Sequence, residues 1–309
     1  MPSIIIIISQ ILLIAALSPL LTGFIRKIKA KLQNRNGASI FQPYRDLRKL
    51  FNKDEVISHD ASWIFLVAPY AVFAVILLIG AGVPLLTNSL TGNLMGDFLA
   101  VAYLVALATF WLALSGIDVG SSFGGFGSSR EMTLAALTEG GLLFSILTLA
   151  VAAHSTNLSV ISGAVASLPA VSLFSVALAA GGFLIALLAE TCRFPFDNPA
   201  THLELTMVHE AMILEYSGKR LALMEWASAN KLMIFAVLGA NLFFPWGLGG
   251  AVSLSAMALS LAFSVVKVAV IGGAIAILES GMAKFRFFRL PDLLFVSFIL
   301  SVIALGLII

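Results

Sequence analysis

Glu139 and Lys267 are the residues of this chain whose surroundings most demand a chemical reason. Glu139 stands in TLAALTEGGLLFSILTLA and Lys267 in LAFSVVKVAVIGGAIAIL, each among apolar neighbours. A charge at the centre of a bilayer helix costs about 2.5–3.5 kcal/mol on insertion scales, so it is kept for a purpose. In low dielectric a carboxylate or a lysine can exchange protons near neutral pH, which suits both residues to a proton or ion pathway. The competing reading, which the pathway outweighs for these two residues, is a structural ion pair between helices or snorkelling to an interface. Asp118, Glu190 and Glu279 close the third, fifth and seventh apolar runs, where the same readings apply.

The densest group of ionisable residues runs from Glu190 to Gly218, ETCRFPFDNPATHLELTMVHEAMILEYSG. It holds Glu190, Asp197, Glu204, Glu210 and Glu215 together with His202 and His209. On a helix Glu204 and Glu215, eleven residues apart, are separated by about three turns and share a face. A row of acids beneath a membrane helix would feed protons or ions inward; a solvated face is the competing reading.

Other chemistries find no support. His209-Glu210 opens an HExxH pattern, but Ile213 stands where the second histidine must be, so a zinc protease is unsupported. His202 and His209 share a face without a third ligand, and no metal site is read from them. The run GSSFGGFGSSR, Gly120 to Arg130, lacks the Walker lysine and a complete GxGxxG; its glycines are read as a close-packed re-entrant loop. Nothing arranges a Ser-His-Asp triad. The single cysteine, Cys192, excludes an intrachain disulfide and a cysteine-ligated iron–sulfur cluster made by this chain alone.

The elements that must position these residues are legible in the composition. Of 309 residues 60% are hydrophobic and 11% charged, with a mean hydropathy of +1.04, against about 25% charged in an ordinary soluble domain. A net charge of +2 gives no reason to expect nucleic acid. Eight apolar runs are long enough to cross a hydrocarbon core of about 30 Å: Ser3–Ile25, Trp63–Leu86, Phe98–Ile117, Thr133–Ala153, Ser172–Ala189, Leu232–Trp246, Ala251–Leu278 and Leu293–Ile309. The fold expected is all-α, a polytopic membrane protein of eight transmembrane helices forming one integral membrane domain over 1–309.

The charges test that count. The loop 26–62 carries Arg26, Lys27, Lys29, Lys31, Arg35, Arg45, Arg48, Lys49 and Lys53. If it is cytoplasmic, alternation puts 118–132, 190–231 and 279–292 on the same side, with Arg130, then Arg193, Lys219, Arg220 and Lys231, then Lys284, Arg286 and Arg289. Every one of the 18 basic residues except Lys267 then falls on one side. Adding or removing one helix destroys this positive-inside pattern. Both termini are therefore expected outside a bacterial or archaeal inner membrane, and Met1–Leu17, without a basic start or a cleavage site, is read as a retained helix.

Two of the basic-side loops are too long to be turns. Pro43–Phe51, PYRDLRKLF, puts Tyr44, Leu47, Leu50 and Phe51 on one helical face and Arg45, Asp46, Arg48 and Lys49 on the other, as in an amphipathic helix on the membrane surface. Pro199–Tyr216 has proline at a first helical position, a Thr201–Glu204 capping-box spacing and Gly218 as a stop.

These segments resemble a family. The stretch from Glu190 to Gly218 resembles the signature loop of respiratory complex I subunit 1, and more closely that of the matching subunit in group 4 membrane-bound NiFe hydrogenases of the formate hydrogenlyase type. Ser115–Met132, SGIDVGSSFGGFGSSREM, is similar to a second family block. The first loop, with Arg35, Gly37, Gln42, Asp46 and Lys49, is similar to a third, although Gly37-Ala38 replaces the usual Gly-Pro.

The resemblance implies a membrane anchor and ion-coupling subunit, not catalytic alone. Its partners would be hydrogenase-like large and small subunits, an iron–sulfur subunit and antiporter-like membrane subunits. Iron–sulfur clusters and the NiFe (or quinone) site would belong to those partners, with no cofactor or metal on this chain. Asp118, Glu131, Glu139, Glu190, Asp197, Glu204, Glu210 and Glu215 would begin the ion path, to which Lys267 and Glu279 are candidates from position. Arg130 and Arg193, with Arg35, Gln42, Asp46 and Lys49, would form the docking face. The alternatives are a quinone-chamber subunit of an NADH:quinone oxidoreductase and an autonomous secondary transporter, for which no clear internal repeat is found.

Overall fold

A computed structural model describes residues 2–88, 94–169, 172–197, 207–250 and 253–309. The helices are α1 (Pro2–Leu32), α2 (Gln42–Phe51), α3 (Trp63–Gly82), α4 (Phe98–Asp118), α5 (Ser122–Ala153), α6 (Leu158–Val165), α7 (Leu173–Glu190), α8 (His209–Ile213), α9 (Gly218–Phe243), α10 (Leu254–Gly281) and α11 (Leu290–Ile308). Eight of these, all but α2, α6 and α8, are long and apolar enough to cross a membrane. The chain is an all-α, multi-pass membrane protein.

The helix at the centre is α9. Every residue from Leu232 to Phe243 is buried, as expected of a helix apolar all round. Elsewhere small residues bring helices together, because in a bilayer close packing and interhelical hydrogen bonds replace the hydrophobic drive. The Ser297 hydroxyl on α11 donates to the Gly182 carbonyl on α7 at 2.7 Å, and Ser301 donates to the Gly141 carbonyl on α5 at 3.1 Å. A Cβ on Gly124 would sit 2.1 Å from the Gly116 carbonyl oxygen, so the α4–α5 contact requires glycine there.

That contact corrects one expectation. The glycine run is not a re-entrant loop, because Ser122 to Arg130 is the first part of α5. Close packing was the right reason for the glycines, and helical backbone satisfies it while pairing its own hydrogen bonds. A second correction concerns the sixth span, which begins at Gly218 and ends at Phe243 instead of covering Leu232–Trp246. Hydropathy counting stopped at Lys231, Glu225 and Arg220, whereas the folded helix carries these charges toward ion partners and a cavity. Gly218, with φ +55°, therefore opens α9 and does not stop the preceding helix.

The surface helix is present as α2. Tyr44, Leu47, Leu50 and Phe51 are half-buried, and Arg45, Arg48 and Lys49 are exposed. Phe51 packs edge-on against Trp226 of α9 at 6.3 Å. In the turn before α2, Gly37 has φ +51°, a conformation glycine supplies without strain. The capping-box pair Thr201 and Glu204, together with Pro199 and His202, lies outside the described residues.

Candidate functional site: a charged cavity on the basic side

The basic ends of α1, α7, α9 and α10 do not meet; α2, the chain after α7 and α8 fill in around them and leave a cavity of about 530 Å³. Its walls carry cations (Arg26, Lys29, Arg35, Arg193) and carboxyl groups (Asp46, Asp197, Glu210, Glu225, Glu279). Below it, toward the membrane centre, lies a space of about 30 Å³ lined by Glu131, Glu190, Cys192, His209 and Lys231. That is room enough for a water molecule. Thr191, Cys192, His209 and Ser228 line both spaces and so form the constriction between them.

Ion pairs hold the walls. Lys231 Nζ lies 2.7 Å from Glu190 Oε2, joining the middle of α9 to the end of α7. Glu279, at the end of α10, takes Lys29 from α1 at 3.2 Å and Arg193 at 3.3 Å. Asp197 accepts from the Val208 and His209 amides, each at 3.2 Å, and pairs with Lys284 at 2.5 Å. These carboxylates are buried, and burial of a charge is tolerated when pairing and hydrogen bonds satisfy it. Arg220 pairs with Glu55 beside the entrance to α9.

Burial shifts the titration of groups at the constriction and of Glu210 in the cavity wall beside it. Burial, with Glu225 and Asp197 nearby, pushes the Glu210 carboxyl up to about 7 against the opposing pull of Arg26. Burial and Lys231 bring His209 down to about 4, so its ring is neutral at pH 7. Burial and the adjacent Glu131 raise the Cys192 thiol well above its usual value. The thiol stays protonated and lies 3.7 Å from the nearer Glu131 oxygen. Half-neutralised Glu210 in the cavity wall, with neutral His209 and a protonated thiol at the small space beyond it, can relay protons, because each can donate and accept without a buried charge being created outright.

The structure thus brings together Glu131, Glu190, Asp197, Glu210 and Glu279 from the expected pathway, with Arg35, Asp46 and Arg193 from the expected docking set. Glu139 is half-buried on α5, beyond Glu131 and within electrostatic reach of Glu190. Others lie elsewhere. Asp118 accepts from the Ser62 amide at 2.8 Å and the Phe65 amide at 3.2 Å, capping the start of α3. Lys267 donates to the Phe244 carbonyl at the end of α9, at 2.9 Å. Glu215 is exposed, and Glu204 lies outside the described residues. Arg130 donates to the Met207 carbonyl at 3.1 Å, bracing the start of α8, and Gln42 donates to Asp46 at 2.8 Å. Lys49 is exposed on α2.

Sequence reasoning missed Lys231 as the partner of Glu190, Cys192 and His209 as the constriction, and Lys29 and Lys284 as counter-ions. Only Lys231 left a readable signal: it stands at the edge of an apolar run in a helix that continues through it.

The chain has relatives among known proteins. The model of the family described as NADH dehydrogenase matches residues 3–309. Hydrogenase-4 component C of Escherichia coli (strain K12) is 36% identical over 297 residues, covering 96% of this chain and 93% of that protein. Formate hydrogenlyase subunit 4 of the same strain is 33% identical over 289 residues, covering 94% and 93%. NADH-quinone oxidoreductase subunit 8 of Rhodothermus marinus is 28% identical over 232 residues, covering 71% and 66%. In fold, the chain is similar to one in the structure of the membrane-bound sulfane sulfur reductase, an archaeal respiratory membrane complex, with a TM-score of 0.82 at 22% identity and coverage of 100% and 98%.

Proposed function

The chain belongs to the NADH dehydrogenase family, that of complex I subunit 1 or H, and from that premise we propose that it anchors a multi-subunit redox complex of the membrane-bound hydrogenase or formate hydrogenlyase type and couples it to ion movement. One observation carries the reading: a wide charged cavity narrows through four shared residues onto the buried Glu190–Lys231 pair. The basic side is the cytoplasmic side of a bacterial or archaeal inner membrane, and both termini are outside. The exposed cations of α2, with Arg35, receive hydrogenase-like large and small subunits and an iron–sulfur subunit. Those subunits hold the iron–sulfur clusters and the NiFe centre.

In this reading a redox event at the docked subunits changes the field at the cavity mouth. Glu210, with its carboxyl near half-protonation at pH 7, takes up or releases a proton there. The change passes Asp197 and Glu279 to Glu190–Lys231 and Glu131, and leaves by Glu139 toward antiporter-like membrane subunits. Asp118 and Lys267 serve helix ends, outside that route. The hydrogenase assignment over the quinone branch is supported by coverage, since the two Escherichia coli relatives match over 93% of their length and the Rhodothermus marinus quinone oxidoreductase subunit over 66% of its length.

Two experiments test it. Mass spectrometry of the intact complex is expected to find a large subunit with nickel ligands; a chain that runs alone, or inhibitor-sensitive quinone reduction, contradicts the assignment. In the same complex Glu139→Gln is expected to leave assembly and hydrogen turnover intact while ion translocation falls. Loss of assembly would show that Glu139 is structural.

A further inference from the structure

Lys267 carries a charge that no described residue answers. It forms no ion pair among them, and of the 16 acidic residues only Glu204, in the segment between α7 and α8, lies outside them. Its hydrogen bond runs to the Phe244 carbonyl at 2.9 Å, which occupies one of three ammonium donors and leaves the charge uncompensated. Lys267 stands midway along α10 (Leu254–Gly281), about 20 Å from either end. Lysines near helix ends snorkel to the membrane surface. This one lies about four turns inside.

The surroundings of Lys267 have no cover in this chain. Toward the bundle α10 turns Ser264, Val268, Gly272 and Ile275. Away from it stand Phe263, Val266 and Val270, the last two 62% and 67% exposed. Phe263 and Val270 lie four residues before and three after Lys267, so the three share one side of the helix. Val270 also lines an apolar groove of about 150 Å³ between α7, α9 and α10, with Phe183, Gly239, Ala274 and Leu278. An exposed apolar stripe beside a recess suits a lipid tail or a second helix, and the cation decides between them. Lipid phosphates lie outside the hydrocarbon core, so a lipid brings no negative charge to this depth. A transmembrane helix can carry a carboxylate at any depth, and pairing relieves the cost of both charges.

We propose that this side of α10 receives a transmembrane helix of a neighbouring subunit, one that carries an aspartate or glutamate at the depth of Lys267. Apolar side chains of that helix fill the groove, and its carboxylate takes the two ammonium donors that Phe244 leaves free. The inference rests on the reading that this chain sits in a multi-subunit complex, and it names the chemistry of one membrane partner. The contact lies on the outer face of α10, away from the charged cavity.

The test uses the intact complex in its membrane, with a photo-reactive diazirine amino acid at Val266 or Val270 and mass spectrometry of what it captures. The expected product is a membrane-spanning peptide of another subunit, with an aspartate or glutamate within about one turn of the captured site. Lipid adducts alone, or a segment without an acid, overturn the proposal. Lys267→Gln keeps a donor for the Phe244 carbonyl but removes the charge. It should weaken retention of the captured subunit on dilution in detergent by about tenfold or more, since a buried carboxylate is left unpaired, while Lys267→Arg retains it. Lys267→Glu, combined with the partner's acid changed to lysine, should restore retention. Wild-type retention in Lys267→Gln, or no recovery on charge exchange, would show that Lys267 only braces the end of α9 and would overturn the pairing. None of these readouts depends on which redox reaction the complex performs, so the hydrogenase assignment and this contact fail separately.

Discussion

The two ends of the helix bundle solve the burial of polar groups in opposite ways. On the basic side the buried groups are charged: Glu190 with Lys231, Glu279 with Lys29 and Arg193, and Asp197 with Lys284, around an open cavity. On the other side they are neutral and closed on each other. Gln10 donates to the Gly80 carbonyl at 2.9 Å and also to that of Val83. Asn241 donates to the Pro84 carbonyl at 2.8 Å and to Ser264 at 3.2 Å, and Ser162 donates to the Asn241 carbonyl at 2.7 Å. All four side chains are fully buried. Neutral, satisfied hydrogen bonds hold a helix end shut without inviting ions. The difference teaches that, in the proposed reading, one half moves charge and the other seals: among the described residues the buried polar groups of the opposite half are neutral.

The sharpest way to break that contrast is to unpair the charged half. Lys231→Met leaves Glu190 buried without its counter-ion and should cost about 3–5 kcal/mol. The double variant Lys231→Met with Glu190→Gln should recover most of that loss in thermal unfolding of the complex. Equal losses in the single and double variants would mean that the pair is not coupled.

A smaller effect is expected in the sealed half. Asn241→Leu removes the donor to Pro84 and Ser264, leaving buried acceptors unpaired at about 1–3 kcal/mol. Stability should fall while ion coupling per turnover is unchanged. A selective loss of coupling would place the ion route through both halves.

The least is expected from pH. The folded Glu210 carboxyl, at about 7, lies above an unfolded value of about 4.3. Its contribution is therefore full below about pH 4.3 and is lost as pH rises through about 7. His209, at about 4 when folded against about 6.5 unfolded, acts in the opposite sense. Its contribution is present above about pH 6.5 and lost as pH falls through about 4. In unfolding measured across pH, Glu210→Gln should remove the loss of stability that accrues as pH rises from about 4.3 to about 7 and leave the loss due to His209 on acidification. An unchanged slope over that window would mean that Glu210 is not buried in the cavity wall.

The fold was largely legible because bilayer burial writes itself into run length, and the one-sided basic residues fix parity. Helix ends at Gly218 and Ser122 were not, since folded helices carry charged and glycine-rich turns that a hydropathy count excludes. The site was legible by residue type more than by partner. Glu131, Glu190, Asp197, Glu210 and Glu279 stood out as acids near apolar runs, but the pairings Glu190–Lys231 and Lys29–Glu279 join positions far apart in the chain. Asp118 looked equally suited to a pathway, and only its amide partners Ser62 and Phe65 show it capping α3.

The central claim is that the Glu190–Lys231 pair carries ion coupling and not merely stability. It is tested most directly by reconstituting the complex with the double variant Lys231→Met and Glu190→Gln into vesicles, and recording hydrogen turnover and ion gradient together. Turnover near the wild-type rate with the gradient lost is the predicted result. A gradient per turnover equal to that of the wild type would contradict the account.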